Sequence, residues 1–315
     1  MAHPPVIENS SSHTFQTFWW GDALSPYEKA CLKSFVDHGH RVHLYTFEPR
    51  LDVPDGVILR DAAELIERDR FFTYESGAGK GSPAAFSNLF RYRLLAEKGG
   101  WWIDADVMCL SSVIPAFDQF FAFQDDALVN CAVMFFRPQH PVMIRCHARA
   151  EELGSSISWG DSGPHLLTRV LGDLGSLDAA HSPSVCYPIP YSQALDLLRP
   201  SEGDAIAQRM RSSLFLHLWN EQLRRGGIEK QFLPPPGSAL RGLLDLHPVA
   251  GWTAEYDFAK LEHLWLNAEL ASCYAEIQRQ KSIIDSMLSS TSWRWTAPIR
   301  FFAERFRALA KSPDA

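Results

Sequence analysis

Residues 14–20 (TFQTFWW) are aromatic and β-prone and stop at Gly21, and a helical pattern carrying Ala30, Leu32, Phe35 and Val36 opens at Pro26 and closes at Gly39. Residues 41–47 (RVHLYTF) then alternate as a second strand. Strand, helix, strand is the repeating unit of an α/β sheet, and it sets the fold class expected for the chain. Further along, residues 61–66 read as a short helix, residues 74–82 (YESGAGKGS) as a glycine-rich loop, and residues 83–98 as a helix with Phe86, Leu89, Phe90 and Leu94 on one face. Ser82 and Pro83 suit its N-cap and first position, and Gly99-Gly100 ends it. Residues 101–107 (WWIDADV) read as a strand interrupted by two carboxylates. Apolar stretches at 120–123 and 131–136, helices near 141–153 and 165–171, a late strand at 214–218 and a rigid loop at Pro234-Pro235-Pro236-Gly237 complete the pattern.

The chain has 315 residues, 46% hydrophobic and 21% charged, enough for one large core or two smaller ones. Its net charge of −7 excludes broad attraction to nucleic acid, so an anionic substrate must be handled locally. No basic segment followed by an apolar run opens the sequence, and no stretch reaches the roughly 18 apolar residues of a membrane span. Six scattered cysteines without a CxxC pair fit a reducing compartment, so a cytoplasmic location is expected, and the Asn9-Ser10-Ser11 glycosylation match carries no weight there.

Beyond about residue 252 the pattern changes. Leu270, Tyr274, Ile277, Ile284 and Leu288 recur at helical spacing with Lys281 interrupting, which predicts one long amphipathic helix or a short coiled coil. Residues 292–311 carry a net charge of +4 interleaved with Trp293, Trp295, Phe301, Phe302 and Phe306. Such a segment suits the inner face of an anionic membrane; the competing reading is a helix packed on its own domain or on a partner.

The strongest chemical signal is Asp104-Ala105-Asp106. In a strand the two carboxylates would share a face about 6.6 Å apart, placing hard oxygen ligands for Mn²⁺ or Mg²⁺. A divalent ion would also invert the local field, so that two acids could hold a diphosphate. Isolated carboxylates are costly after an apolar run such as Trp101-Trp102-Ile103 unless paired or coordinated. Ser87, Asn88 and Arg91 are spaced to share the other face of the preceding helix, from which Asn88 and Arg91 could reach a sugar or phosphate; a solvated helix face is the plain alternative.

Two tempting motifs fail. Gly79-Lys80-Gly81-Ser82 lacks the earlier glycine of a phosphate-binding loop, where Tyr74 stands, and has Gly81 where Ser or Thr should follow the lysine, so it reads as a mobile loop near the site. A strand ending in Asp-x-Asp also opens haloacid-type phosphatases, but those carry Thr or Val where this chain has Met108.

Residues 84–107 (AAFSNLFRYRLLAEKGGWWIDADV) resemble the signature of DXD-containing glycosyltransferase family 32: a Ser-Asp-x-x-Arg-Tyr helix, a Gly-Gly turn, an aromatic and Asp-x-Asp. Residues 17–21 (TFWWG) resemble that family's first strand, residues 159–168 (WGDSGPHLLT) its Gly-Pro-x-Leu-x-Thr segment, and residues 216–221 (LHLWNE) its late His-x-Trp block. The resemblance implies a GT-A type, Rossmann-like fold over residues 1–255, with residues 256–315 as a helical extension. It also implies a nucleotide-sugar donor, UDP-sugar favoured, a Mn²⁺ or Mg²⁺ requirement, and a glycan or lipid-linked glycan acceptor. Retention of configuration is implied, by a front-side route in which the leaving phosphate helps deprotonate the acceptor.

Carried over by position, Trp19 matches an aromatic that stacks on the donor base and Arg91 a residue at the donor sugar and phosphate. Asp104 and Asp106 match the metal and ribose-diphosphate carboxylates, and His217 a late ligand or diphosphate contact. A core histidine is the plain reading of His217, between Phe215 and Trp219. Asp161, in a Gly-x-x-Gly loop, is placed to approach the acceptor or to cap the helix after Pro164. Asn88 departs from the family, which usually has Asp there, and this bears on the donor sugar or on activity. The competing classes are a toxin-like transferase that modifies a protein, a nucleotide-sugar hydrolase, and a sugar-nucleotide-binding module that has lost catalysis.

Overall fold

The computed structural model describes residues 12–155, 157–158 and 160–296. Trp159, Asn9 to Ser11 and residues 297–311 of the basic aromatic segment therefore lie outside the described residues. The chain forms two compact units divided between Tyr256 and Asp257.

The first unit is built on a six-stranded sheet of order β3-β2-β1-β4-β7-β6. Strands β1 (Thr14–Trp19), β2 (Arg41–Thr46), β3 (Val57–Asp61) and β4 (Gly100–Ile103) run parallel. Strand β7 (Val129–Phe136) is antiparallel to both β4 and β6 (Phe120–Phe123). A two-stranded antiparallel ribbon, β5 (Val107–Cys109) with β8 (Phe215–His217), stands beside this sheet. Helix α1 (Pro26–Asp37) connects β1 to β2, and α2 (Ala84–Glu97) leads into β4. This is the α/β architecture that the strand–helix–strand pattern predicts and the Rossmann-like arrangement that the resemblance implies, with the chain's direction across the sheet reversing between β1 and β4.

Alternation along each strand sorts the apolar side chains to two faces. Phe15, Trp101, Ile103 and Val133 join Leu32 and Phe35 of α1 in one core. Phe18, Trp102 and Met134 join Phe86 and Phe90 of α2 in the other, with residues from α3 (Pro141–Leu153) and α4 (Pro164–Asp173). Gly99 is required at the end of α2: its φ is +63°, and a Cβ there would meet the backbone nitrogen of Pro138 at 2.5 Å.

Two local readings need correction. The segment at 61–66 is not a helix: β3 runs through Asp61, whose carboxylate caps only a single 3₁₀ turn at Ala62–Glu64. Strand β3 lies at the sheet's edge with its residues only partly covered, so it lacks the apolar alternation that marks a strand. Within the glycine-rich loop the Tyr74 N–H donates to Ser82, the Gly81 N–H donates to Tyr74, and the Tyr74 ring is buried. Most important, Asp104 to Asp106 are not in a strand. Strand β4 ends at Ile103, β5 starts at Val107, and the two aspartates occupy the turn between them.

Short helices α5 (Pro183–Cys186), α6 (Gly203–Met210), α7 (Asn220–Arg225) and α8 (Ala239–Leu246) follow, with a small pair of strands, β9 (Phe232–Leu233) and β10 (Ala254–Glu255). In the second unit, α9 (Phe258–Ser289) is a single helix of 32 residues. Leu270, Tyr274, Ile277, Ile284 and Leu288 are all exposed on it. Among the described residues no helix is long and apolar enough to cross a membrane.

Candidate active site

The site forms where β1 and β4 end. Gln16 pairs with Trp102 in the parallel ladder, so Trp19 and Asp104 emerge at the same edge of the sheet. In open α/β sheets this edge, at the point where strand order reverses, is where ligands bind.

The backbone N–H of Asp104 makes the last ladder bond, to Ala132 O at 2.8 Å, and the Val107 N–H returns to Asp104 O at 3.1 Å. Aspartate suits the first position of such a turn. The turn gathers what a strand would have kept apart: Asp104, Asp106 and His217 each offer a ligand atom, all within 4.8 Å of one another.

Each aspartate is fixed from a different layer. Oδ1 of Asp104 accepts from Arg91 Nη2 at 2.7 Å and from Trp102 Nε1 at 2.8 Å. The same guanidinium donates through Nη1 to Cys131 O at 3.1 Å and lies 5.1 Å from the Trp102 ring centre. Burial pulls the Arg91 pKa down, but the Asp104 carboxylate outweighs it and holds the group firmly cationic. Burial pushes the Cys131 thiol up, so it is a neutral acceptor for Arg91. Both hydrogen bonds to Asp104 fall on Oδ1, which leaves Oδ2 available to a ligand.

Asp106 is answered from the β5–β8 ribbon. Val107 pairs with His217, and Leu218 N–H donates to Asp106 O at 2.9 Å. Its Oδ2 lies 3.3 Å from His217 Nε2 and accepts the Asn220 N–H at 2.9 Å. Burial would raise the Asp106 carboxyl, but His217 and the Asn220 N–H outweigh it and hold the group ionised, well below its ordinary value. The His217 ring lies 4.1 Å from that of Trp219, and its buried Nδ1 has no hydrogen-bond partner among the described residues.

The remaining sequence-predicted residues divide. Asn88 and Arg91 are buried, 6% and 5% exposed, so α2 presents no solvated polar face here. Asn88 Nδ2 donates to Ser162 Oγ at 3.0 Å, which joins the 160–163 loop to α2. Ser87 is half-buried. Asp161 is exposed and stands outside the three-residue cluster; it closes its own turn by accepting the Ser158 N–H at 2.9 Å, and Gly163 takes the N-cap of α4 instead. Trp19 is half-buried, with its Nε1 donating to Ala23 O at 3.1 Å. Its neighbour Trp20 is committed elsewhere, stacked on Phe71 at 3.4 Å between ring centres.

Sequence reasoning missed Trp102, Cys131, Ser162 and Asn220. Asn220 had one signal, its place in the LHLWNE block, and Trp102 another, its place two residues before Asp104; Cys131 and Ser162 depend on contacts between distant segments.

A family model described as "Capsular polysaccharide synthesis protein" matches residues 66–135, which enclose α2 and the Asp-x-Asp turn. Lactosylceramide 4-alpha-galactosyltransferase of Mus musculus is 26% identical over 155 residues, covering 45% of this chain and 43% of that protein. Alpha-1,4-N-acetylglucosaminyltransferase of Homo sapiens is 29% identical over 153 residues, 44% of each. The matches span less than half the length of these curated relatives. The solved structure titled "PaToxG Glycosyltransferase" covers 76% of this chain and 87% of that chain at 12% identity with a TM-score of 0.40, so the fold stands on its sheet order and not on that overlay. Over the region that carries the Asp-x-Asp turn, the chain is therefore similar to capsular polysaccharide synthesis proteins and to glycosyltransferases that form α-1,4 linkages.

Proposed function

We propose that the chain is a metal-dependent, retaining glycosyltransferase that moves a sugar from a UDP-sugar to a hydroxyl of a glycan or lipid-linked glycan. One observation carries this reading: two carboxylates and an imidazole converge within 4.8 Å at the edge of the sheet where β1 and β4 end. Mixed oxygen and nitrogen donors suit Mn²⁺, and the carboxylates alone would accept Mg²⁺. The free Oδ2 of Asp104 fits such an ion. When bound, the ion would supply Lewis-acid stabilisation of the departing diphosphate.

The chain's own residues do the rest. Arg91 and Trp102 fix the Asp104 carboxylate, and Asn220 and His217 fix Asp106. Trp19 offers its ring to the donor base, since Trp20 is held by Phe71. Ser87 and Asn88 would line the donor-sugar side from α2, Asn88 through its hold on Ser162, and Asp161 would act on the acceptor side from the loop so tethered. Retention of configuration rests on the resemblance to family 32. Residues 1–255 would form the catalytic domain. Residues 256–315 would be the extension whose +4 segment at 292–311 meets the anionic inner face of a membrane.

The test is donor hydrolysis and transfer screened over UDP- and GDP-sugars with and without Mn²⁺, repeated with Asp106→Ala. Mn²⁺-dependent turnover of a UDP-sugar that Asp106→Ala abolishes is the expected result. Donor binding without turnover under every condition overturns the enzymatic reading. Deleting residues 292–315 should abolish sedimentation with anionic vesicles, and unchanged binding would sink the membrane assignment.

A further inference from the structure

Glu28 sits on α1, far in sequence from the Asp-x-Asp turn, and is 1% exposed. Its Oε2 accepts the Ser25 N–H at 3.0 Å and the Ser25 hydroxyl, forming the capping box of α1. Its Oε1 accepts from Asn220 Nδ2 at 2.8 Å and from the Lys230 ammonium. A capping box needs only one of these arms and works equally with a neutral glutamine. The second arm is therefore surplus to the helix cap.

What that arm holds is the turn around Asp106. Asn220 donates its backbone N–H to Asp106 Oδ2 at 2.9 Å, and Leu218 donates to the Asp106 carbonyl. Between them Trp219 is in the left-handed region, with φ 58° and ψ 57°. A bulky residue stays in that conformation only where its surroundings over-determine it. The Asn220 amide is oriented by Glu28: its buried Oδ1 has no partner among the described residues, and turning the amide over would set that oxygen against the Glu28 carboxylate.

We propose that Glu28 is a positioning residue for Asp106, whose carboxylate holds the Asn220 side chain so that the strained turn keeps its N–H on Oδ2. Lys230 balances the buried charge. The consequence for metal binding rests on the metal-dependent reading above; the consequence for the turn does not.

Glu28→Gln tests this. To keep its oxygen on the Ser25 arm, the glutamine must point its amide NH₂ at the Lys230 ammonium, donor against donor, and at Asn220, whose side chain can accept from it only by turning over from the orientation that Glu28 imposes. Ser25→Ala is the control, because it weakens the cap and spares the Asn220 arm. Each metal-free protein is titrated calorimetrically with Mn²⁺ alone, with hydrogen exchange at the Asn220 amide and circular dichroism measured in parallel. Glu28→Gln is expected to weaken Mn²⁺ binding about 10–100-fold and to speed Asn220 exchange with the fold retained, as loss of an outer-sphere support does. Ser25→Ala is expected to lower the melting temperature without either change. Asn220→Ala, which leaves Glu28 paired with Lys230, should reproduce the Mn²⁺ loss even if Glu28→Gln does not fold. Wild-type Mn²⁺ affinity and Asn220 exchange in Glu28→Gln, or matching effects in Ser25→Ala, overturn the proposal and leave Glu28 as a helix cap. If the wild type takes up no Mn²⁺, the metal reading falls, and Asn220 exchange alone decides the role of Glu28.

Discussion

Trp102 and Asp104 are two residues apart, and the indole N–H of the first donates to the carboxylate of the second at 2.8 Å. The bond aims Asp104 from the strand that leads into its turn, while the Trp102 ring lies fully buried against α2. Trp102→Phe keeps most of the ring and removes the donor. We expect a stability loss of about 1–2 kcal/mol and a fall in kcat/KM of about tenfold. Trp101→Phe is the comparison, since Trp101 is equally buried in the opposite core. It should lose similar stability and keep kcat/KM, and equal kinetic losses in both variants would argue against a role for the indole bond.

Arg91 is 5% exposed and its fork reaches Asp104 and Cys131 at once. Removing one partner of a buried pair leaves an uncompensated charge, at a cost of about 3–5 kcal/mol. Because Asp104 keeps 25% exposure, we expect Arg91→Met to fall near the lower figure, read as a shifted urea midpoint with an unchanged slope. Arg91→Lys should restore less than half of it, because an ammonium cannot span both partners. Adding Asp104→Asn to Arg91→Met should cost less than the two separate losses combined.

Asp106 supplies a pH dependence with a definite sign. Its carboxyl is lowered from the ordinary 3.8 to about 2 in the folded chain. A depressed pKa contributes stability that is present above the unfolded value and is lost as pH falls through the folded one. In metal-free buffer, therefore, wild-type stability from this group should be complete above about pH 5 and decline towards pH 2, by a total on the order of 2 kcal/mol. Asp106→Asn should remove that part of the pH profile. Thermal melts from pH 6 to pH 2 in both proteins check it, and parallel curves would contradict it.

His217 tests the chemistry of the cluster. Replacing its imidazole by a carboxylate, His217→Asp, makes the donor set all oxygen and should move the metal preference from Mn²⁺ towards Mg²⁺. The measurement is the ratio of metal affinities in wild type and variant. An unchanged ratio would place His217 outside the coordination sphere.

The sequence disclosed the scaffold better than the site's geometry. Helix α2 and its Gly99-Gly100 stop were legible because capping, periodicity and the glycine turn agree locally. The Asp-x-Asp turn was not, because strongly apolar segments flank it on both sides and together imitate one continuous strand. His217 was readable only as a candidate, since its approach to Asp106 depends on β8 pairing with β5 across more than a hundred residues. Glu28 gave no chemical signal at all, because a capping glutamate explains itself locally and its second arm is visible only in the folded chain.

The two aspartates are held from opposite sides of the sheet, Asp104 by the α2 layer and Asp106 by the ribbon that packs with α1. A ligand that bridges them therefore links two cores that the chain otherwise joins here through one short turn. Its binding energy would enter the folding equilibrium directly, adding about 2.7 kcal/mol at a hundredfold excess over Kd. Unfolding itself thus becomes an assay for occupancy, one that reports a bound ion or donor before any acceptor has been found.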